Sequence, residues 1–546
     1  MRKKATTCDT IEKIDIPVTS RKRKSPISTI SKEKKSEKQA QKKSNKKKTE
    51  SIQSLEFRAK ADSEFKAIFH GHLGRAELYA SFVSDSVKII NNNGDAYVYN
   101  ITTGLWEEQS ASYFTKDIMT KLSSYIICQM DNCNKTNNNV ITDIVSELSK
   151  VLKEVRRASH SKAIFEVCRN ELTDTKFKSK LNSSPHLLPI KNGKLLNLKT
   201  LEIKNRTMDD YYDFEIPFDF NKDLPLPNIT KFITQIMNND KDIVEYLQTN
   251  LGYSITGETD QRCIYIFWGC GSNGKSTLMD MIRMIIGKLY TSAPKKVFIK
   301  DERDSSSHTA HLMPLLSARI VIYSESDKEE KLNESLIKTL TGNDLISARE
   351  LYGKQFEFKP VAKYFLLTNH KPLINVDDDG IVDRIRYIPF QARFTDNPKE
   401  GEFRKDQKFV DKLLTEYLNE CFVWLVLGAH KYYKIRELGG HVTIPKSLIT
   451  AKNEYINEID YVSIFMNEYY TKLDEDDKEK KIIRTIIYER YCNWLKQNNN
   501  DKQNNMKSSL FYDKIKKMGF AEKKDRAGYR FITNISENLD FESNLE

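Results

Sequence analysis

Long apolar runs are missing from this sequence. None approaches the ~18–20 residues needed to span a bilayer, and the best stretch, Cys421 to Ala429, is far too short. The N-terminus is polar and lysine-rich without an apolar core, which argues against a secretory signal. The eight cysteines include no Cys-x-x-Cys pair. In so long a chain they read as reduced intracellular thiols, not as a disulfide framework or a zinc site. Glycine is scarce, 20 in 546 residues, so a cluster of glycines carries information. Hydrophobic residues at 39% and charged residues at 30% exclude collagen-like, elastin-like and wholly disordered chains. At roughly 100–200 residues per domain the length allows about three or four domains.

Basic charge is in excess, but unevenly. The net charge is +12, with 88 Lys+Arg against 76 Asp+Glu. The first 50 residues hold 17 of the basic and 6 of the acidic side chains, which leaves 71 against 70 in the remaining 496. The body is therefore close to neutral, and local patches must carry any argument for nucleic-acid binding. Residues 1–52, with Arg21–Lys24 and Lys46–Lys48, lack apolar periodicity and are expected to be a disordered basic tail. Such a tail serves as a nuclear-import signal, a phosphate-binding arm or a solubilising arm.

Residues 53–225 predict an α+β domain. Helical patterns cover Ala76–Phe82, Asp117–Ser124 and Val140–Arg157, and short strands Ala96–Tyr99 and Gly104–Trp106 flank a turn. Leu188–Leu198 reads as a hairpin turning at Asn192-Gly193. Trp106 is expected in the core rather than stacked on a base, and His70 and His72 have no ligand set nearby. From 226 to 400, strands at Arg262–Phe267, Arg319–Tyr323, Tyr364–Thr368 and Ile385–Ile388 alternate with helices, which predicts a parallel sheet covered by helices. A helical connector is expected over 401–460. Helices at Lys480–Lys496 and Ser508–Met518, then a hairpin at Phe520–Thr533, give 461–546 the order of a winged-helix-like module. Its basic wing, Lys523, Lys524, Arg526 and Arg530, suits DNA contact as well as it suits a solvated hairpin.

The sharpest signal is Gly269-Cys270-Gly271-Ser272-Asn273-Gly274-Lys275-Ser276-Thr277, which matches the P-loop pattern between a strand and a helix. Glycines let backbone N–H groups face phosphates, and the helix N-terminus adds donors and a favourable dipole. Lys275 is expected to reach the β and γ phosphates and Ser276 to ligate Mg²⁺, so ATP and Mg²⁺ are the expected cofactors. Hydrolysis needs a carboxylate at a neighbouring strand tip. Glu325 is the first candidate, also as a metal ligand through water, and Asp327 the second. Asn369, after the strand Tyr364–Thr368, is placed to report the γ-phosphate. Arg384 and Arg386 precede or begin a strand, where one guanidinium supplied in trans would stabilise transferred charge. Asp377–Asp379 is expected to be a solvated turn. His308 and His311 lack the glutamate of a metalloprotease motif.

These motifs, with Leu340–Arg349 and Phe365–Asn369, occur in an order that resembles the superfamily 3 helicases, specifically the helicase half of poxvirus-type and phage-type primase-helicases. The resemblance covers about 230–400 in the ATPase and touches most of the chain beyond 60. It implies an α/β, AAA+-like ATPase core in a homo-oligomeric ring, hexameric in form, that hydrolyses ATP to translocate on single-stranded DNA during viral DNA replication. It implies a pore hairpin at Ser347–Lys359 with Lys354 and Arg349 on DNA, and Arg384 as the trans-acting finger, with Arg386 as the fallback. Primase and other replication proteins are the implied partners, and no membrane is. The location is intracellular, in a cytoplasmic virus factory or the nucleus. No primase domain is expected in this chain. Two other readings compete: a P-loop ATPase moving or packaging duplex DNA, and a DNA-binding scaffold with a degenerate ATP site.

Overall fold

The computed structural model describes residues 63–91, 94–134, 140–300, 310–324, 330–349, 355–473, 481–497 and 506–538. The chain divides into two compact units, one of residues 1–82 and 114–170, the other of 83–113 and 171–546.

The described part of the first unit is helical. Its helices are α1 (Gly71–Val83), α2 (Ala111–Asn134, its first turn in the other unit), α3 (Val140–Val155) and α4 (Ala158–Cys168). In α3 the buried residues Leu148, Val151 and Val155 recur at three and four, so one stripe faces inward. Phe114 stacks on Phe165 with ring centroids 4.7 Å apart. Tyr79 donates to Asp117 at 2.6 Å, and His72 shares a 3.0 Å hydrogen bond with His160.

The second unit opens with a meander, β1 (Val87–Ile89), β2 (Ala96–Asn100) and β3 (Leu105–Gln109). Trp106 is buried there against Phe177, and its indole N–H donates to the Met208 carbonyl at 3.0 Å. A second antiparallel sheet joins β4 (Leu187–Ile190), β5 (Lys194–Asn197) and β6 (Ile203–Asn205). Asn192 and Gly193, at φ 63° and 65°, make the β4–β5 turn. Both central residues of such a turn need positive φ, which Asn-Gly tolerates best.

Helices α5 (Pro227–Ile236) and α6 (Lys241–Ser254) then lead to the central sheet. Asp240 caps α6 by accepting from the N–H groups of Asp242 and Ile243. The sheet strands are β7 (Ile264–Trp268), β8 (Tyr290–Ser292), β9 (Ile320–Ser324), β12 (Lys363–Thr368) and β13 (Ile385–Pro389), all parallel, in spatial order β13-β7-β12-β9-β8. Between β7 and β8 lies α7 (Lys275–Ile286), and between β9 and β12 come α8 (Glu334–Thr341) and the antiparallel hairpin β10 (Ile346–Arg349) and β11 (Gln355–Phe358). The short helix α9 (Asp379–Val382) precedes β13. Every residue of β12 is buried, as a central parallel strand requires.

The run Cys421–Ala429 belongs to α10 (Leu418–Glu437), buried against α6 and α7. Gly252 and Gly428 allow this approach: a Cβ on Gly252 would stand 2.1 Å from the Ala429 nitrogen, and one on Gly428 2.1 Å from the Gln248 carbonyl oxygen. Helix α11 (Lys446–Ile459) packs on β13, where Tyr455 stacks with Tyr387 at 4.9 Å.

The C-terminal module runs α12 (Tyr461–Tyr469), β14 (Lys481–Ile483), α13 (Arg484–Gln497), α14 (Ser508–Lys517), β15 (Ala521–Lys524) and β16 (Arg530–Thr533). Phe465, Tyr491, Phe511 and Ile532 share its core. One expectation fails here. The helix predicted from Lys480 begins at Arg484, because Lys481–Ile483 pair with Phe531–Thr533 as a strand. The Asp377–Asp379 turn is also not simply solvated: Asp378 pairs with Lys338 at 2.6 Å, and Asp377 with Lys514 at 3.4 Å.

Candidate active site

The site grows from the end of β7. The chain leaves the strand at Trp268 and re-enters regular structure at Lys275, the first residue of α7. Gly271, Ser272 and Gly274 between them adopt φ of 91°, 47° and 85°. Such left-handed backbone suits glycine, and the Gly271 N–H donates to the Gly269 carbonyl at 3.0 Å within the loop. Gly269 is confined as well: a Cβ there would lie 2.5 Å from the Phe390 carbonyl oxygen and 2.3 Å from Asn273 Nδ2. Asn273 is buried and donates to that same carbonyl at 3.2 Å, while Phe394 N–H donates to the Ser272 carbonyl at 2.8 Å. The loop is thus braced from β13 and the segment after it. The N-cap Gly274 offers no capping side chain, and the Lys275 N–H at the start of α7 donates to Asn273 Oδ1 at 3.5 Å.

Lys275 is buried, and its ammonium donates to the Gly269 carbonyl at 2.6 Å and to Asn369 Oδ1 at 3.2 Å. Among the described residues no carboxylate pairs with it. Burial lowers its pKa to about 8, opposed weakly by the nearby Cys270. A desolvated ammonium whose described partners are neutral is the electrostatic complement of an anion. Cys270, Gly271, Ser272 and Ser276 are exposed around it, and Thr277 is half-buried. The residues present therefore fit a triphosphate.

Asn369 is brought to Lys275 because β12 lies beside β7, with Thr368 opposite Trp268. Gly269 N–H donates to the Thr368 carbonyl at 3.2 Å, which ties the loop to the same strand end. The next strand over, β9, ends at Ser324 on the same edge of the sheet. Glu325 and Asp327 follow it and lie outside the described residues. Among the described residues no cluster of three His, Cys, Asp or Glu side chains is arranged to hold a metal ion.

Arg384 stands at the opposite edge. It precedes β13, and its carbonyl accepts from Ile264 N–H at the start of β7. At about 3.3 Å per strand residue, roughly 16 Å of β7 separates it from the loop of its own chain. Its Nε donates to Thr341 Oγ1 at 3.1 Å, and Nη1 donates to the Gly380 carbonyl. Arg386 is engaged with the Asp383 carbonyl at 2.6 Å. Arg349, exposed, ends β10 opposite Gln355. Lys354 lies outside the described residues. The sequence reading missed the brace from Phe390 and Phe394, for which a motif of nine residues carries no signal.

A family model described as "D5 N terminal like" matches residues 76–238, and one described as "Family of unknown function (DUF5906)" matches 267–386. A protein of Acanthamoeba polyphaga mimivirus named "Putative helicase L207/L206" is 28% identical over 67% of this chain and 38% of its own length. "Putative helicase 121R" of Invertebrate iridescent virus 3 is 24% identical over 72% of this chain and 44% of its own length. "Putative primase C962R" of African swine fever virus is 23% identical over 55% and 32%. The chain thus spans less than half the length of these relatives. A solved structure of the NrS-1 C-terminal region aligns over 84% of this chain and 98% of that one, with 12% identity and a TM-score of 0.39. The relatives are thus named putative helicases and a putative primase of DNA viruses, which is consistent with the resemblance that the ordered motifs carry. No helix among the described residues is long and apolar enough to cross a membrane.

Proposed function

We propose that this chain is a superfamily 3, ATP-dependent DNA helicase, acting as a homo-oligomeric ring on single-stranded DNA in viral replication. The observation that carries the reading is the Lys275 ammonium, buried between Gly269 and Asn369 with no carboxylate partner among the described residues. The strand order supports it, since the loop and the tips of β12 and β9 share one edge of the sheet. In this reading the loop amides and Lys275 bind the β and γ phosphates, and Asn369 holds a hydrogen bond ready for the γ-phosphate. Bound Mg²⁺ neutralises phosphate charge; Ser276 and, through water, Glu325 would hold it. Arg384 acts on the triphosphate of a neighbouring copy, which agrees with its distance from its own loop. Arg349, at the end of β10, and Lys354, which precedes β11 in sequence, contact DNA, and the C-terminal module is a winged helix.

Three measurements on the purified chain test this: ATP hydrolysis with and without single-stranded DNA, unwinding of a forked duplex, and the mass of the assembly. DNA-stimulated hydrolysis and unwinding, both abolished by Lys275→Ala, are expected. Hydrolysis without fork opening would favour a motor that moves duplex DNA, and no hydrolysis by an assembled oligomer would overturn the enzymatic reading.

A further inference from the structure

Lys514 is one of the few buried lysines, and the site described above makes no use of it. It projects from α14 of the C-terminal module, with its side chain only 5% exposed. Its ammonium lies 2.7 Å from Asp460 Oδ1 and 3.4 Å from Asp377 Oδ1. Burying an ammonium costs several kcal/mol unless it is paired, so one carboxylate is required. Asp460 already meets that need from the junction of α11 and α12, where it also accepts from Ser463 N–H and Oγ as a helix cap. Asp377 is therefore surplus to holding the module together, and it comes from the segment that delivers Arg384.

That segment is fastened along its length. Asn375 N–H donates to Glu334 Oε1 at 2.6 Å, Asp378 pairs with Lys338, and Arg384 Nε reaches Thr341, all three partners on α8. Asp378, the N-cap residue of α9, also accepts through its carbonyl the N–H groups of Ile381 and Val382. Asp377, one residue earlier, is where the C-terminal module takes hold.

We propose that Lys514 is a positioning residue for the trans reaction: its pairing with Asp377 makes the seating of the C-terminal module part of what holds Arg384 in place. The inference rests on the proposed role of Arg384. Asp377→Asn is the informative variant, because it leaves the Lys514–Asp460 pair, and with it the fold of the module, intact.

The experiment measures steady-state ATP hydrolysis by assembled full-length protein. Asp377→Asn and Lys514→Met are each expected to lower kcat by about tenfold, the scale of indirect couplings, with KM for ATP within about twofold and assembly mass unchanged. Lys514→Arg is expected to keep most of the rate. Mixed with Lys275→Ala chains, which carry an intact Arg384 segment, Asp377→Asn chains are expected to exceed the specific activity of either parent. A rate within twofold of the unaltered chain, or a loss that mixing does not relieve, would overturn this inference alone. Absence of hydrolysis by the unaltered assembly would overturn the reading of the site, and this inference with it.

Discussion

Lys275 owes its low pKa to burial, and in the proposed reading a bound polyphosphate supplies a counter-charge that no described residue provides. The sign of the pH effect follows. Below about 8 the free lysine is already protonated and affinity should be flat. Above it, binding must take up a proton, so the Kd for a non-hydrolysable ATP analogue should rise by up to about tenfold per pH unit. Calorimetric titration from pH 6.5 to 9.5 measures this, and a flat profile would mean that Lys275 does not face the phosphates. Asn369 is expected to act differently. Asn369→Ala should cut kcat by about 10²-fold with nucleotide affinity within a few-fold, whereas Asn369→Asp should weaken binding by giving Lys275 a permanent carboxylate. At this scale the sequence was informative where structure is local: nine contiguous residues, Gly269–Thr277, predicted a loop between a strand and a helix, and the chain makes that loop between β7 and α7. The Lys514–Asp377 contact was not legible, because 137 positions separate the two and an acidic triplet in a polar stretch reads as a solvated turn.

Among the elements, α6 and α10 cross with backbone almost touching backbone, and two glycines make that possible. Gly428→Ala places a methyl group against the Gln248 carbonyl, and no rotamer can relieve that clash. We expect a loss of about 1–3 kcal/mol, read as a lower urea midpoint at unchanged slope. The α10 packing lies behind α7, so the same variant tests whether the loop helix needs that support. The alternation of strands and helices that predicted a parallel sheet corresponds to four of the five strands found, each with its own apolar run; the fifth, β8, is three residues long, Tyr-Thr-Ser, and has none. Their spatial order carries no local signature. The strand Lys481–Ile483 was invisible for a related reason. It is three residues long and exists through pairing with residues 531–533, so its own pattern continues into the helix that follows.

For the whole molecule, the loop and Arg384 occupy opposite edges of one sheet. If Arg384 serves a neighbour, Arg384→Ala should retain ATP-analogue binding within about threefold while kcat falls by about 10³-fold or more. Mixing Arg384→Ala with Lys275→Ala chains should then regenerate activity that neither has alone, and hydrolysis by the mixture is the readout. A mixture as inactive as its parents would place the function of Arg384 within its own copy.

The separation of these two groups has a further consequence. If Arg384 serves a neighbour, a solitary copy would grasp its fuel but could not burn it. Turnover per molecule should therefore climb steeply with protein amount and vanish on dilution, which leaves newly made copies idle until enough of them have gathered.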